Sequence, residues 1–309
     1  MAPTPAKRKK KKTPVIGLAL GSGSARGWSH LGVLRALEAE GVKPDIIAGC
    51  SMGSLVGAAA ASGYLAPLTD WALSLKLPEV VSLVDFSWRG GFVKGDKLIQ
   101  FFSKNFIDRD IESLKVGFGS VATDMVSGKE IWLTKGSVED AVRASISLPG
   151  ILTPLVRDDR ALIDGGLVNP VPITLCRAMG ADIVIAVDLC SDMVQGAAWH
   201  SELEEMFNPK PAEPNWTDKF FSHLKRNGNG DEKPEIVAPS MLTVLNATLN
   251  IMQDRIARSR MAGDPPDVLI VPRVRKIGLM DFHRAAEALQ EGEEAVARAL
   301  PTLRYVLGL

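Results

Sequence analysis

Two short patterns carry the residues that could do covalent chemistry: Gly49-x-Ser51-x-Gly53, and Asp164 followed by Gly165-Gly166. The first places a serine where an apolar run gives way to a small-residue helix. Flanking glycines let two backbone segments pass closely, so the hydroxyl projects from a sharp strand-to-helix turn, a nucleophile elbow. The helix that follows would aim its N-terminal N–H groups at a developing oxyanion. A plain glycine-rich turn with a surface serine is the alternative. A serine nucleophile needs a base, and histidine is the first candidate. None of His30, His200, His223 and His283 has a distinguishing local motif, and each is readable as a surface or packed residue. Asp164 differs, because it ends an apolar segment and two glycines leave its carboxylate sterically open. A Ser–Asp pair is therefore expected. An ordinary carboxylate ionises near pH 4, against about 6.5 for imidazole, so such an enzyme should stay active at lower pH than a Ser–His one.

A second glycine loop, Gly21-Ser-Gly-Ser-Ala-Arg-Gly27, also ends an apolar run and opens a helix. Its backbone N–H groups can converge on an anion, so two loops could face one oxygen. A dinucleotide site is the rival, with Asp45 near the position of a ribose acid. The spacing of Gly21, Gly23 and Gly27 is one residue longer than that fingerprint. Arg26 either holds the loop or presents charge to a phosphate head group.

The elements that must position these residues follow from periodicity. Val15 to Leu20, Asp45 to Ala48, Val116 to Thr123, Glu130 to Thr134, Ala161 to Ile163, Ile183 to Asp188 and Val268 to Val271 read as strands. Helices are expected after Gly27, from Ser51 to about Ala61, over Val138 to Ile146, over Met280 to Leu300 and over Thr302 to Leu307. Strands alternating with helices predict an α/β protein with a mostly parallel sheet. No internal repeat is present. A polar stretch rich in Pro, Asn and Gly, about 191–239, reads as an insert with one short helix, Trp216 to Arg226. Trp216, Phe220, Phe221 and Leu224 would give that helix an apolar face, either packed on the body or acting as a flap toward lipid.

The chain has 309 residues, 46% of them hydrophobic, which fits one large domain over 14–309 behind a disordered basic tail, 1–13. Its 36 Lys and Arg balance 36 Asp and Glu; with the six basic residues of 7–12 set aside, the body is net −6 and a poor nucleic-acid binder. No apolar h-region follows the tail, so no signal peptide is expected, and no apolar run reaches the length of a membrane span. Cys50, Cys176 and Cys190 show neither disulfide nor zinc spacing, which suits a reducing cytoplasm. The tail either promotes attachment to anionic membrane or merely solubilises.

At four blocks the chain resembles the patatin-like phospholipase family, particularly its compact bacterial members and the catalytic domain of the neuropathy target esterase type. The blocks are the loop and helix from Gly21 to Arg35, Gly49-Cys-Ser-Met-Gly53, Ala144-Ser-Ile-Ser-Leu-Pro149 leading to Pro154, and Asp164-Gly-Gly166. The resemblance implies a three-layer α/β/α fold and hydrolysis of lipid esters by a Ser–Asp dyad, Ser51 as nucleophile and Asp164 as base. The family's oxyanion loop, G-G-G-x-R-G, falls on residues 22–27, with Ser22 and Ser24 in place of glycines. Gly23, Ser24, Ala25 and Arg26 are then the oxyanion residues, supported by Gly21, Gly27, Gly49, Gly53, Gly165 and Gly166. The implied mechanism is two-step acyl transfer without metal or organic cofactor. Its substrates would be phospholipid, lysophospholipid or another fatty-acyl ester, met in the cytoplasm or at the inner membrane face. An acyltransferase or thioesterase on the same nucleophile, and a non-enzymatic lipid-binding regulator on the same fold, are the alternatives.

Overall fold

The computed structural model describes residues 13–78, 102, 104–105, 109–149, 151–194 and 241–309. The basic run 7–12, the insert beyond residue 194, its expected helix with Trp216, Phe220, Phe221 and Leu224, and His200 and His223 lie outside them. The strands are β1 Ile16–Leu20, β2 Ile46–Cys50, β3 Gly117–Asp124, β4 Glu130–Leu133, β5 Leu155–Arg157, β6 Arg160–Asp164, β7 Ile183–Val187 and β8 Val268–Ile270. They form a single sheet in the order β5-β6-β3-β2-β1-β7-β8, with β4 paired to β3 off that path. β3, β2, β1, β7 and β8 are parallel, and β4, β5 and β6 run antiparallel to their neighbours. The helices are α1 Ser29–Ala39, α2 Met52–Ala61, α3 Leu65–Ser74, α4 Val138–Ser145, α5 Ile173–Ala178, α6 Met241–Gly263 and α7 Ala285–Leu307, with a helical turn at Ser191–Val194.

Alternation along the central strands sorts the two faces. Leu18, Leu20, Ile47, Ile185 and Val187 point one way, into a core shared with Leu31 and Leu37 of α1, Leu55 and Val56 of α2, and Ala288 and Val296 of α7. Ala19, Ala48, Val184 and Ala186 point the other way, against Leu175 and Cys176 of α5 and Ala257 of α6. Period-two side chains buried on both faces are what a central parallel sheet between helical layers requires. The architecture is thus three-layer α/β/α, as expected.

Several elements depart from the sequence reading: β5, α3 and α5 fall in stretches read as neither strand nor helix, and three further departures have a visible cause. Helix α6 was not anticipated: its flank is the polar stretch, and its sequence mixes Asn246, Asn250, Gln253 and Asp254 into the apolar pattern. The two helices expected at the end are one, because Pro301 removes one N–H donor from an exposed turn while the chain beyond it keeps packing through Leu303. The start of that segment, Phe282–Arg284, is a separate 3₁₀ turn. No described helix is long and apolar enough to cross a membrane.

Sheet register brings the two chemical motifs together. β4 pairs with Ser120 to Thr123 of β3 and so occupies one edge of that strand. β2 pairs with residues up to Val121 and β6 with Ala122 to Asp124, which puts both on the opposite edge. They run in from opposite ends and stop on consecutive residues: Cys50 faces Val121, and Asp164 faces Ala122. The residue after Cys50 is Ser51.

Candidate active site

Ser51 has φ 54° and ψ −122°, a conformation that L side chains rarely adopt. Such backbone costs of order 1–3 kcal/mol and persists only when its surroundings over-determine it. Here they do. The Ser51 N–H donates to Ser145 Oγ at 2.8 Å, and that hydroxyl donates to Val121 O at 2.6 Å. The Ser51 carbonyl accepts from the N–H groups of Ser54 and Leu55, which starts α2. The flanking glycines are a matter of space: a β-carbon on Gly53 would stand 2.2 Å from Leu20 O, and one on Gly49 2.4 Å from Ser54 Cα. Gly27, likewise, leaves room for Met52.

Ser51 Oγ donates to Asp164 Oδ2 at 2.6 Å, with both residues buried. The other carboxylate oxygen, Oδ1, accepts from Gly166 N at 2.7 Å. The aspartate's backbone is fixed too, its N–H donating to Ser147 O and its carbonyl accepting from Thr123 Oγ1. Gly165 packs flat on the Val121 carbonyl. Burial pushes the Asp164 carboxyl up to about 6, partly offset by the hydrogen bonds from Ser51 and Gly166. Cys50, next to the serine, is buried and its thiol is pushed up by desolvation, so it stays protonated.

The glycine loop reaches the same place. Ser22, Gly23, Ser24 and Arg26 line a pocket with Ser51 and Asp164. Ser24 adopts φ 49° and its hydroxyl donates to Leu279 O at 2.7 Å, a side-chain bond that offsets the positive φ. Of the four residues assigned to the oxyanion hole, two have their amides committed elsewhere: Ala25 N donates to Leu279 O, and Arg26 N to Gly23 O. The amides of Gly23 and Ser24 have no acceptor among the described residues. Arg26 is 2% exposed and donates through Nη2 to Asn250 Oδ1 at 3.2 Å. Gly21 hands its N–H to Val187 O and its carbonyl to His30, tying the loop to β7 and α1.

Histidine is not at the serine among the described residues. His30 Nε2 bonds Gly21 O at 2.8 Å, and a carbonyl only accepts, so this nitrogen carries the proton. Burial holds the imidazole down at about 4, hence neutral, with Nδ1 unbonded. His283 is exposed. The dinucleotide alternative fails on geometry: Asp45 Oδ2 accepts from Ile16 N, at the end of β1 opposite the glycine loop. No group of three or more His, Cys, Asp or Glu is gathered to hold a metal among the described residues.

Sequence reasoning did not find the far wall of the pocket. Leu249, Asn250 and Gln253 of α6 line it, with Leu148 and Leu279. They carry no local motif, and only the packing of α6 over the sheet assembles them. The role of Ser145 was equally hidden, since a buried serine in a helix is indistinguishable by sequence from one that holds a neighbouring amide.

Residues 18–177 match the family model described as patatin-like phospholipase. An uncharacterized NTE family protein of Mycobacterium bovis is 31% identical over 354 aligned positions, covering 97% of this chain and 95% of its own. Mouse patatin-like phospholipase domain-containing protein 6 is 38% identical over 184 positions, 57% of this chain and 14% of that protein. Among solved structures, VipD from Legionella pneumophila aligns over 94% of this chain and 67% of its own, at 11% identity and a TM-score of 0.42. By the family match and by relatives matched over nearly their whole length, this chain belongs to the patatin-like phospholipase family.

Proposed function

We propose that the protein is a serine acyl hydrolase of lipid esters, cleaving phospholipid or lysophospholipid through an acyl-enzyme on Ser51. The observation that carries this reading is the 2.6 Å hydrogen bond from Ser51 Oγ to the buried carboxylate of Asp164. Ionised Asp164 takes the hydroxyl proton as Oγ bonds to the ester carbonyl carbon. With its pKa raised to about 6, it is a stronger base than an ordinary carboxylate and still ionised at neutral pH. The oxyanion is held by the amides of Gly23 and Ser24 and by the N-terminal N–H groups of α2, which opens at Met52 directly after the nucleophile. Losing one such donor typically costs about 3–4 kcal/mol of transition-state stabilisation.

Collapse of the tetrahedral intermediate breaks the ester C–O bond. Asp164 returns the proton to the departing alcohol, and water then releases the fatty acid with Asp164 again as base. Leu148, Leu249 and Leu279 give the pocket apolar surface for the acyl chain, while Arg26, Asn250 and Gln253 add polar groups to the same lining. The experiment is turnover of a soluble short-chain acyl ester, paired with labelling by a serine-directed fluorophosphonate. Wild type should hydrolyse and label, and folded Ser51→Ala should do neither; near-normal turnover by Ser51→Ala would sink the reading.

A further inference from the structure

Two polar groups in the pocket take no part in the steps above. Ser22 Oγ and Gln253 Nε2 belong to pocket-lining residues that are only 3% and 7% exposed. Neither atom has a hydrogen-bond partner among the described residues, whereas the other end of the Gln253 carboxamide is held, Oε1 accepting from Cys190 Sγ at 3.8 Å. Gly166 marks where they meet. A β-carbon on that residue would stand 2.4 Å from Gln253 Nε2 and 3.0 Å from both Ser22 Oγ and Asp164 Oδ1. One hydroxyl, one amide and the proposed base thus converge beside Gly166, and all three residues line the nucleophile's pocket. Polar atoms that meet no protein partner at a pocket are met by water, and a tightly held water needs two to four such partners. This cluster offers three.

We infer that Ser22 and Gln253 hold the water that releases the acyl group from Ser51, and that Ser22 makes water rather than an alcohol the favoured acceptor. The inference rests on the acyl-enzyme reading. The water donates one O–H to Asp164 and the other to Ser22 Oγ, while Gln253 Nε2 donates to its oxygen. As its remaining lone pair bonds to the acyl carbon, the first proton passes to Asp164. The acyl C–Oγ bond then breaks, that proton goes to Ser51 Oγ, and the carboxylic acid leaves. An alcohol has one O–H, which Asp164 takes; its alkyl group then faces Ser22 and leaves that hydroxyl unpaired. Water gains one hydrogen bond over the alcohol, worth roughly five- to tenfold in partition.

The test is the ratio of free acid to methyl ester formed from p-nitrophenyl butyrate at fixed methanol concentration, a ratio set after acylation and independent of which step limits the rate. Ser22→Ala and Ser22→Gly, two variants that lack the hydroxyl, should each lower the ratio about five- to tenfold, the value of one hydrogen bond. Ser22→Thr, which keeps the hydroxyl, should hold it near wild type. Gln253→Leu removes a donor that water and methanol share, so it should slow both products together. A merely structural role would reduce turnover and melting temperature without moving the ratio. An unchanged ratio in a folded Ser22→Ala or Ser22→Gly protein overturns the role of Ser22, and an unchanged rate of acyl-enzyme breakdown in Gln253→Leu, followed in a single turnover, overturns that of Gln253. Failure of the acyl-enzyme reading looks different: Ser51→Ala then turns over the ester like wild type, whatever Ser22 does.

Discussion

A serine whose proton passes to a buried carboxylate can attack only while that carboxylate is ionised, so the pH dependence of the proposed reaction is the titration of Asp164. Desolvation lifts this group to about 6. kcat/KM should therefore rise with an apparent pKa of about 6 and level off above neutrality. That limb lies where a histidine would also put it. The activity at low pH that an ordinary carboxylate would give is displaced by burial, so substitution rather than pH identifies the base. Asp164→Asn keeps the shape and should lower kcat by a factor on the order of 10² to 10⁴, the usual worth of a general base. His30→Gln should keep both kcat and the limb near 6, since the His30 imidazole is neutral throughout the range in which Asp164 titrates. Its effect belongs to stability. A histidine with a depressed folded pKa contributes stability that is full above about 6.5 and is lost as pH falls toward 4. Turnover and melting of the two variants across pH separate the roles; a folded His30→Gln protein as inactive as Asp164→Asn would overturn the dyad.

At the scale of elements, the site exists because β2 and β6 stop on consecutive residues of one edge of β3 and α2 turns back within a single residue. That turn has no spare room at Gly53, where a β-carbon would stand 2.2 Å from the Leu20 carbonyl, a backbone atom that no rotamer change can move. Gly53→Ala should cost at least the 1–3 kcal/mol of ordinary overpacking and lower kcat beyond what the stability loss explains, because α2 carries the N–H groups beside Ser51. Chemical denaturation and turnover at a temperature where the variant is fully folded check both halves; full kcat in a folded variant would count against the tight elbow. The same elements show what could be read beforehand. Strands β1, β2 and β7 are apolar on both faces and ended by Gly, Ser or Asp signals, so their place at the centre was legible, as were both motifs at their ends. Distance was not: nothing local brings residue 51 to residue 164, and the register on β3 is a tertiary fact. Helix α6 escaped for a related reason. It lines a pocket with polar and apolar side chains together, so Leu249, Asn250 and Gln253 blur the periodicity by which a packed helix is recognised.

For the whole molecule, a buried ionised base works against the fold that holds it. The Asp164 carboxyl titrates at about 6 in the folded protein against an ordinary 3.8, so the folded state binds the proton more tightly. For a raised carboxylate the sign is the reverse of the usual one: the favourable contribution is full below about 4 and is lost as pH rises through 6. That displacement is worth about 3 kcal/mol, so at pH 8 the native protein carries that much destabilisation from one residue. The amide of an Asp164→Asn variant would carry none of it. Its oxygen can still accept from Gly166 N, and its nitrogen can donate to Ser51 Oγ, so both bonds of the carboxylate keep a neutral counterpart. The inactive Asp164→Asn protein should therefore be more stable than wild type at pH 8, by roughly 1–3 kcal/mol once the imperfect match of an amide is allowed for, the usual conflict between stability and a working site. The excess should shrink as pH falls through 6 and vanish near 4, where Asp164 is protonated in wild type. Urea denaturation of both proteins at intervals from pH 4 to 8 measures the difference directly. A wild-type protein at least as stable as the variant at pH 8 would mean that Asp164 is not held against its own charge, and the raised base on which the proposed mechanism depends would go with it.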